Sequence, residues 1–244
     1  MPTKKKYPIP PPPPDPENYI LIIPKHGRPH WRRKAKERPL NEVLREWTRL
    51  TSTASQGARR IKSMLSPFLY GLDTGRIIAK MTARLNKSYI DHGSYDLLNM
   101  FELDFQEDDE IRKVLRFDPD IDIIGHEMNI TVVSSNHVVR KLNKAVTHFC
   151  YDAILIHGDP SKETDLRIEH ERSPFFNIDN DILDYHTMKL YMPAKTTSWM
   201  FILKAGCYEG SRPEPHHRHF GMKVLAVGKT NGSIQGDVKG CSVK

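Results

Sequence analysis

No run in this sequence is apolar for the roughly 18 residues that a helical membrane span requires. The N-terminal "MPTKKKYPIPPPPPDPENY" starts basic but carries no apolar core, so it does not read as a secretory signal. Cysteine is scarce: Cys150, Cys207 and Cys241 lie far apart and form no C-x-x-C pair. That spacing argues against a disulfide framework and a cysteine zinc site, and it fits a reducing, cytoplasmic setting. Two phosphate- and acyl-chemistry signatures are missing as well, the G-x-x-x-x-G-K-[ST] loop and the G-x-S-x-G elbow. His126-Glu127 begins the zinc-protease pattern H-E-x-x-H, but Ile130 stands where its second histidine belongs. Aromatic residues make up only 9% and hydrophobic residues 38%, a lean but sufficient supply for a core.

Acidic residues are the notable shortage in the first 90 positions. Residues 1–90 hold 19 of the 37 Lys and Arg but 6 of the 30 Asp and Glu, a balance of +13, while residues 91–244 balance at −6. A basic arm is thus joined to a mildly acidic body, which bears on partners and not on fold.

Residues 1–40 read as a largely disordered tail. Pro10 to Pro14 form an unbroken run that favours polyproline II, and the stretch 25–39 is crowded with Lys and Arg. The short apolar patch Tyr19 to Ile23 interrupts it as an edge strand or contact segment. Residues 41–90 carry helical spacing. Val43, Leu44, Trp47 and Leu50 line one face of a short helix, and Ala54, Ala58, Ile61 and Leu65 repeat as a buried stripe. From about residue 95 the period becomes that of strands. Seven or so short apolar or alternating runs, parted by clusters such as "GDPSKETD" and "EGSRPEP", fill residues 95–230. The class expected is α+β: short N-terminal α-helices, then an antiparallel β-sandwich or barrel-like domain, then a flexible tail over 231–244.

Within "YGLDTGRII", residues 70–78, Asp73-Thr74-Gly75 is the tripeptide that bears the carboxylate of aspartic proteases. Arg76 follows at once and would hold that carboxylate ionised, and no second copy occurs to share a proton. The helical reading accounts for more residues. Asp73 becomes an N-cap, Leu72 and Ile77 a hydrophobic staple, Ile77, Met81 and Leu85 an apolar stripe, and Arg76, Lys80, Arg84 and Lys87 a basic one. Across "ARRIKSMLSPFLYGLDTGRIIAKMTARLN" and "NMFELDFQ" the chain resembles an uncharacterised family of bacterial proteins. There a basic tail and a helical GLDTGR segment precede a β-rich domain. The resemblance implies this architecture and no activity.

"PEPHHRHFG" supplies metal-ligand candidates, His217 and His219, which share a face if the segment is extended; the alternative is an exposed hairpin loop. Asp118, Asp120 and Asp122 alternate, as a hard-cation face or a solvated strand. Glu102, Asp104 and Glu107 to Glu110 form an acidic patch that suits either internal pairing or solvent. No metal and no cofactor is expected. Three functional readings remain. The first is a non-enzymatic binding protein contacting nucleic acid or another polyanion through Arg32, Arg33, Lys34, Lys36 and Arg38 of the arm and Arg59, Arg60, Lys62, Arg76, Lys80, Arg84 and Lys87 of the helices. The second is a homo-oligomer in which the arm pairs with acidic surface of another copy. The third is an enzyme on the β domain using the histidine or aspartate clusters.

Overall fold

Ala54, Ala58, Ile61 and Leu65 are all buried along one continuous helix, α1 (Glu42–Leu65), in the computed structural model of the chain. The structure describes residues 8–24, 28–34, 41–106, 119–133, 146–179, 184–192, 198–213 and 219–229. The chain divides into two compact units, Met1–Glu46 and Trp47–Lys244.

In the first unit, strands β1 (Tyr19–Ile22) and β2 (His30–Arg33) pair antiparallel, so the apolar patch is an edge strand of a hairpin. Trp31 donates its indole N–H to the Pro10 carbonyl at 3.1 Å, which ties the proline run to the hairpin. Helix α1 starts in this unit, where the Asn41 side chain accepts the Leu44 N–H at 2.8 Å as an N-cap does. The apolar residues of its first turns differ from the expected buried face: Val43, Leu44 and Trp47 are exposed.

The second unit is layered around a six-stranded antiparallel sheet. Its centre is the pair β5 (His148–His157) and β9 (Trp199–Glu209). Strands β6 (Arg167–Arg172) and β7 (Phe176–Asn177) extend it on the β5 side, and β10 (Arg212–Pro213) and β11 (Phe220–Gly228) on the β9 side. A second sheet joins β3 (Asp120–Ile124), β4 (Glu127–Val133) and β8 (Tyr185–Tyr191), again antiparallel. Alternation sends successive side chains to opposite faces. Tyr151, Ala153, Leu155, Phe201, Leu203 and Ala205 therefore meet Met128, Ile130, Met188 and Leu190 of the second sheet. Ile154, Ile156, Met200, Ile202, Met222 and Val224 meet the stripes of α1 and of α2 (Ile77–His92) on the other face. A bulge between Val224 and Ala226 switches β11 so that Ala226 faces the second sheet and Val227 the helices. The α+β class and the antiparallel pairing are as the sequence predicts. The helices cover one face of the central sheet instead of preceding a self-contained two-sheet core. Among the described residues no helix is long and apolar enough to cross a membrane.

The motif at 73–76 sits differently from its expected place. Helix α2 begins at Ile77 with Arg76 at the cap position and no side-chain cap. Asp73 instead accepts the Gly75 N–H at 3.2 Å, closing a local turn, and Ile77 N–H bonds the Thr74 carbonyl. The same side-chain chemistry that favours a cap is here satisfied four residues before the first residue of the helix. Ile77, Met81 and Leu85 are buried as predicted. Gly71, just upstream, has φ +77°, and a Cβ there would lie 2.3 Å from the Phe220 ring. Gly71→Ala should therefore lower stability by at least about 2 kcal/mol, since it combines left-handed strain with overpacking. Asp73→Ala, at an exposed turn, should change it by only about 0.5 kcal/mol. Urea denaturation of both variants checks the contrast, and equal losses would return Asp73 to a capping role.

Candidate functional site

The cations picked from the sequence fall into two groups. Arg32, Arg33 and Lys34 are exposed on β2 and the residue after it, while Lys36 and Arg38 lie outside the described residues. On the helices, Arg59, Arg76 and Lys87 are exposed and Lys62 is half-buried. Three others turn inward. Arg60 donates to the carbonyls of Pro160 and Ser161 at 3.2 and 2.7 Å. Lys80 reaches the Gln106 and Asp104 carbonyls at 3.2 and 3.5 Å, and Arg84 those of Asn99 and Phe101 at 2.8 and 2.6 Å. Burial lowers the Arg84 pKa, and Glu102 partly offsets this. These three side chains donate to part-buried loop carbonyls, so the basic stripe of α2 is divided between structure and surface.

The metal candidates do not assemble. His217 lies outside the described residues, as do Asp118 and Glu107 to Glu110. His219 is half-buried, and Asp120 and Asp122 are exposed on β3. Among the described residues, no three His, Cys, Asp or Glu side chains come together as a metal site.

Sequence reading missed a charged cluster on the helix-facing side of the central sheet, beside the loop that joins α1 to α2. One row across the strands runs Arg172, Asp152, Lys204 and Met222, and the next runs Cys150, Gly206 and Phe220. The Asp152 carboxylate is only 2% exposed. Its Oδ1 accepts from His170 Nε2 at 3.0 Å and Arg172 Nε at 2.6 Å, and its Oδ2 from Arg172 Nη2 at 3.3 Å. Lys204 is buried directly across from it, its Nζ 5.2 Å from the centroid of the Phe220 ring. The loop from Phe68 to Leu72 lies alongside. The Phe68 ring sits 4.5 Å from that of His170, Tyr70 meets Phe220 edge-on, and Leu72 packs on Cys150, Tyr208 and Phe220. No local motif betrays this cluster, because its members come from four strands and a loop. The only signal was a charge interrupting each of two otherwise apolar runs, Asp152 in "HFCYDAILIHG" and Lys204 in "WMFILKAGCYEG".

The electrostatics separate the members. Burial alone would raise the Asp152 pKa, but hydrogen bonds from His170 and Arg172 and the charges of Arg172 and Lys204 outweigh it and hold the carboxyl below its usual range. The hydrogen bond to Asp152 raises the Arg172 pKa. Desolvation lowers that of Lys204, aided by Arg172 and opposed by Asp152. Burial pushes the Cys150 thiol up to about 11, so it is protonated at neutral pH and is no nucleophile. Burial likewise raises the Tyr208 pKa. The cluster is suited to holding charge in place, not to thiol chemistry.

Because the folded pKa of Asp152 lies below its unfolded value, its stabilising effect is complete above the ordinary carboxylate range. It is lost as pH falls through the folded value, below about pH 4. Asp152→Asn should cost about 2 kcal/mol at pH 7, less than a fully buried pair because Arg172 is partly exposed. It should also flatten the acid limb of a stability-versus-pH curve. An unchanged limb in that variant would show that other groups set it.

The chain matches no family model, no curated protein and no solved structure in comparisons with known proteins.

Proposed function

We propose that the chain is a non-enzymatic binding protein whose basic arm contacts nucleic acid or another polyanion, with the β domain as scaffold. One observation carries the reading. Arg32, Arg33 and Lys34 stand exposed and consecutive on a hairpin, whereas Arg60, Lys80 and Arg84 of the helices are taken up by internal carbonyls. The contact surface is thereby narrowed to the arm, with Arg59, Arg76 and Lys87 as secondary cations. Lys and Arg neutralise phosphates and release counterions, which gives strongly salt-dependent and largely sequence-independent affinity. His30, exposed beside them, adds a ring for stacking on unpaired bases. Assembly between copies is the second reading, favoured by the exposed Val43, Leu44 and Trp47 on the first turns of α1.

The test uses the full chain, because removing residues 1–90 would strip α1 and α2 from the central sheet. Affinity for a fluorescent single-stranded oligonucleotide should fall with salt. In an Arg32→Ala/Arg33→Ala/Lys34→Ala variant the log–log salt slope should drop by about 2, from roughly 0.7 per lost phosphate contact. Parental protein that binds no oligonucleotide at low salt, or a variant with the parental slope, sinks the arm reading. A non-binding protein that elutes as an oligomer favours assembly.

A further inference from the structure

We propose that the run from Pro8 to Pro14 is a docking ligand for a small folded domain that reads polyproline II through a groove lined with aromatic side chains. This surface is separate from the cations of β2 and does not depend on the polyanion reading.

Burial along the run has a period of three. Pro10 and Pro13 are half-buried, whereas Pro8, Ile9, Pro11, Pro12 and Pro14 are exposed, Ile9 at 59%. Polyproline II has three residues per turn, so residues three apart share an edge. One edge, Pro10 with Pro13, is therefore shielded by the first unit itself, and the half-buried Trp31 donates its indole N–H to the Pro10 carbonyl there. The other two edges face outward, Pro8, Pro11 and Pro14 on one and Ile9 with Pro12 on the next. Among the described residues the Pro10 carbonyl alone in this run receives a donor. The remaining carbonyls stand as acceptors between apolar rings.

The outward edges select the class of partner. They extend about 19 Å from Pro8 to Pro14, at roughly 3.1 Å per residue. Their rings call for apolar slots, and their carbonyls call for N–H or O–H donors, which prolines cannot supply to one another. A groove of tryptophan and tyrosine side chains meets both needs, and it is the mode in which P-x-x-P segments are recognised. That spacing occurs twice on one edge, as Pro8-x-x-Pro11 and Pro11-x-x-Pro14. Trp31 already makes one contact of this kind from the third side. It holds the run in place, which lowers the ordering cost of binding. Charge sets the direction: Lys4, Lys5 and Lys6 precede the run, and Asp15 and Glu17 follow it. The partner groove should therefore be acidic at the end that takes Pro8. Nucleic acid finds neither a cation nor a flat ring on these edges.

The probes are one SH3, one WW and one EVH1 domain, each isotope-labelled and titrated with the full-length protein by NMR. At least one should bind saturably, with shifts confined to its aromatic groove, and a free proline decamer should displace the protein. Pro11→Ala/Pro14→Ala should weaken binding at least about tenfold, because two rings leave the groove. Pro10→Ala/Pro13→Ala removes as many prolines from the shielded edge and should weaken it less. The Arg32→Ala/Arg33→Ala/Lys34→Ala protein should bind as the parent does, so the two proposals fail independently. The docking role is overturned if none of the three domains binds, or if Pro11→Ala/Pro14→Ala binds as tightly as the parent. Equal losses in the two proline variants assign the effect to chain stiffness and overturn the exposed edge. Binding that disappears in the Arg32→Ala/Arg33→Ala/Lys34→Ala protein is an electrostatic contact of the arm and overturns it too. A full-length oligomer that Pro11→Ala/Pro14→Ala disperses gives the edge to a second copy and overturns the partner class.

Discussion

Ten consecutive cross-strand pairs between β5 and β9, from His148↔Tyr208 to His157↔Trp199, form the constraint on which the second unit is built. Because side chains alternate, one register fixes two cores at once. A slip of one residue would exchange Ile154 with Leu155 and Ile202 with Leu203, presenting each core with the residues shaped for the other. Antiparallel strands normally wet one face; this pair is covered on both, which explains why each strand reads as an almost unbroken apolar run.

That double cover also decides where charge can reside. Along β5 and β9 the helix-facing positions are Ile154, Ile156, Met200 and Ile202 under α1 and α2, then Asp152 and Lys204 where the helices end. Phe68 to Leu72 form the bend between the helices, so the turn that joins α1 to α2 also borders the ionic patch.

The sequence revealed much of this and hid a definite part. The stripes Ala54–Ala58–Ile61–Leu65 and Ile77–Met81–Leu85 were legible because a buried helix face repeats within one element, and all seven residues are buried. The strand-rich half was legible from its turn clusters. Asp73 misled because cap and local turn draw on the same carboxylate chemistry, and only the start of α2 at Ile77 separates them. Lys80 and Arg84 look like surface cations in any helical projection; their partners are carbonyls of a segment with no periodicity of its own. The Asp152–His170–Arg172–Lys204 cluster was illegible for a related reason, since its members meet only through strand pairing and are up to 52 positions apart, the span from Asp152 to Lys204.

Arg84 and Lys80 hold down residues 99–106, and that segment does more than fill a gap. Glu102 and Phe105 donate their N–H groups to the Val224 and Met222 carbonyls, and Val224 donates back to Leu103. The outer edge of β11 is thereby closed by irregular backbone, although no full strand is added. An unpaired edge is a template for pairing with another chain. Here the seal is clamped from outside the sheet, by two cations of a helix. Closure of the edge is therefore coupled to docking of α2, and a nascent chain whose helix has yet to settle presents β11 as an open edge to its neighbours.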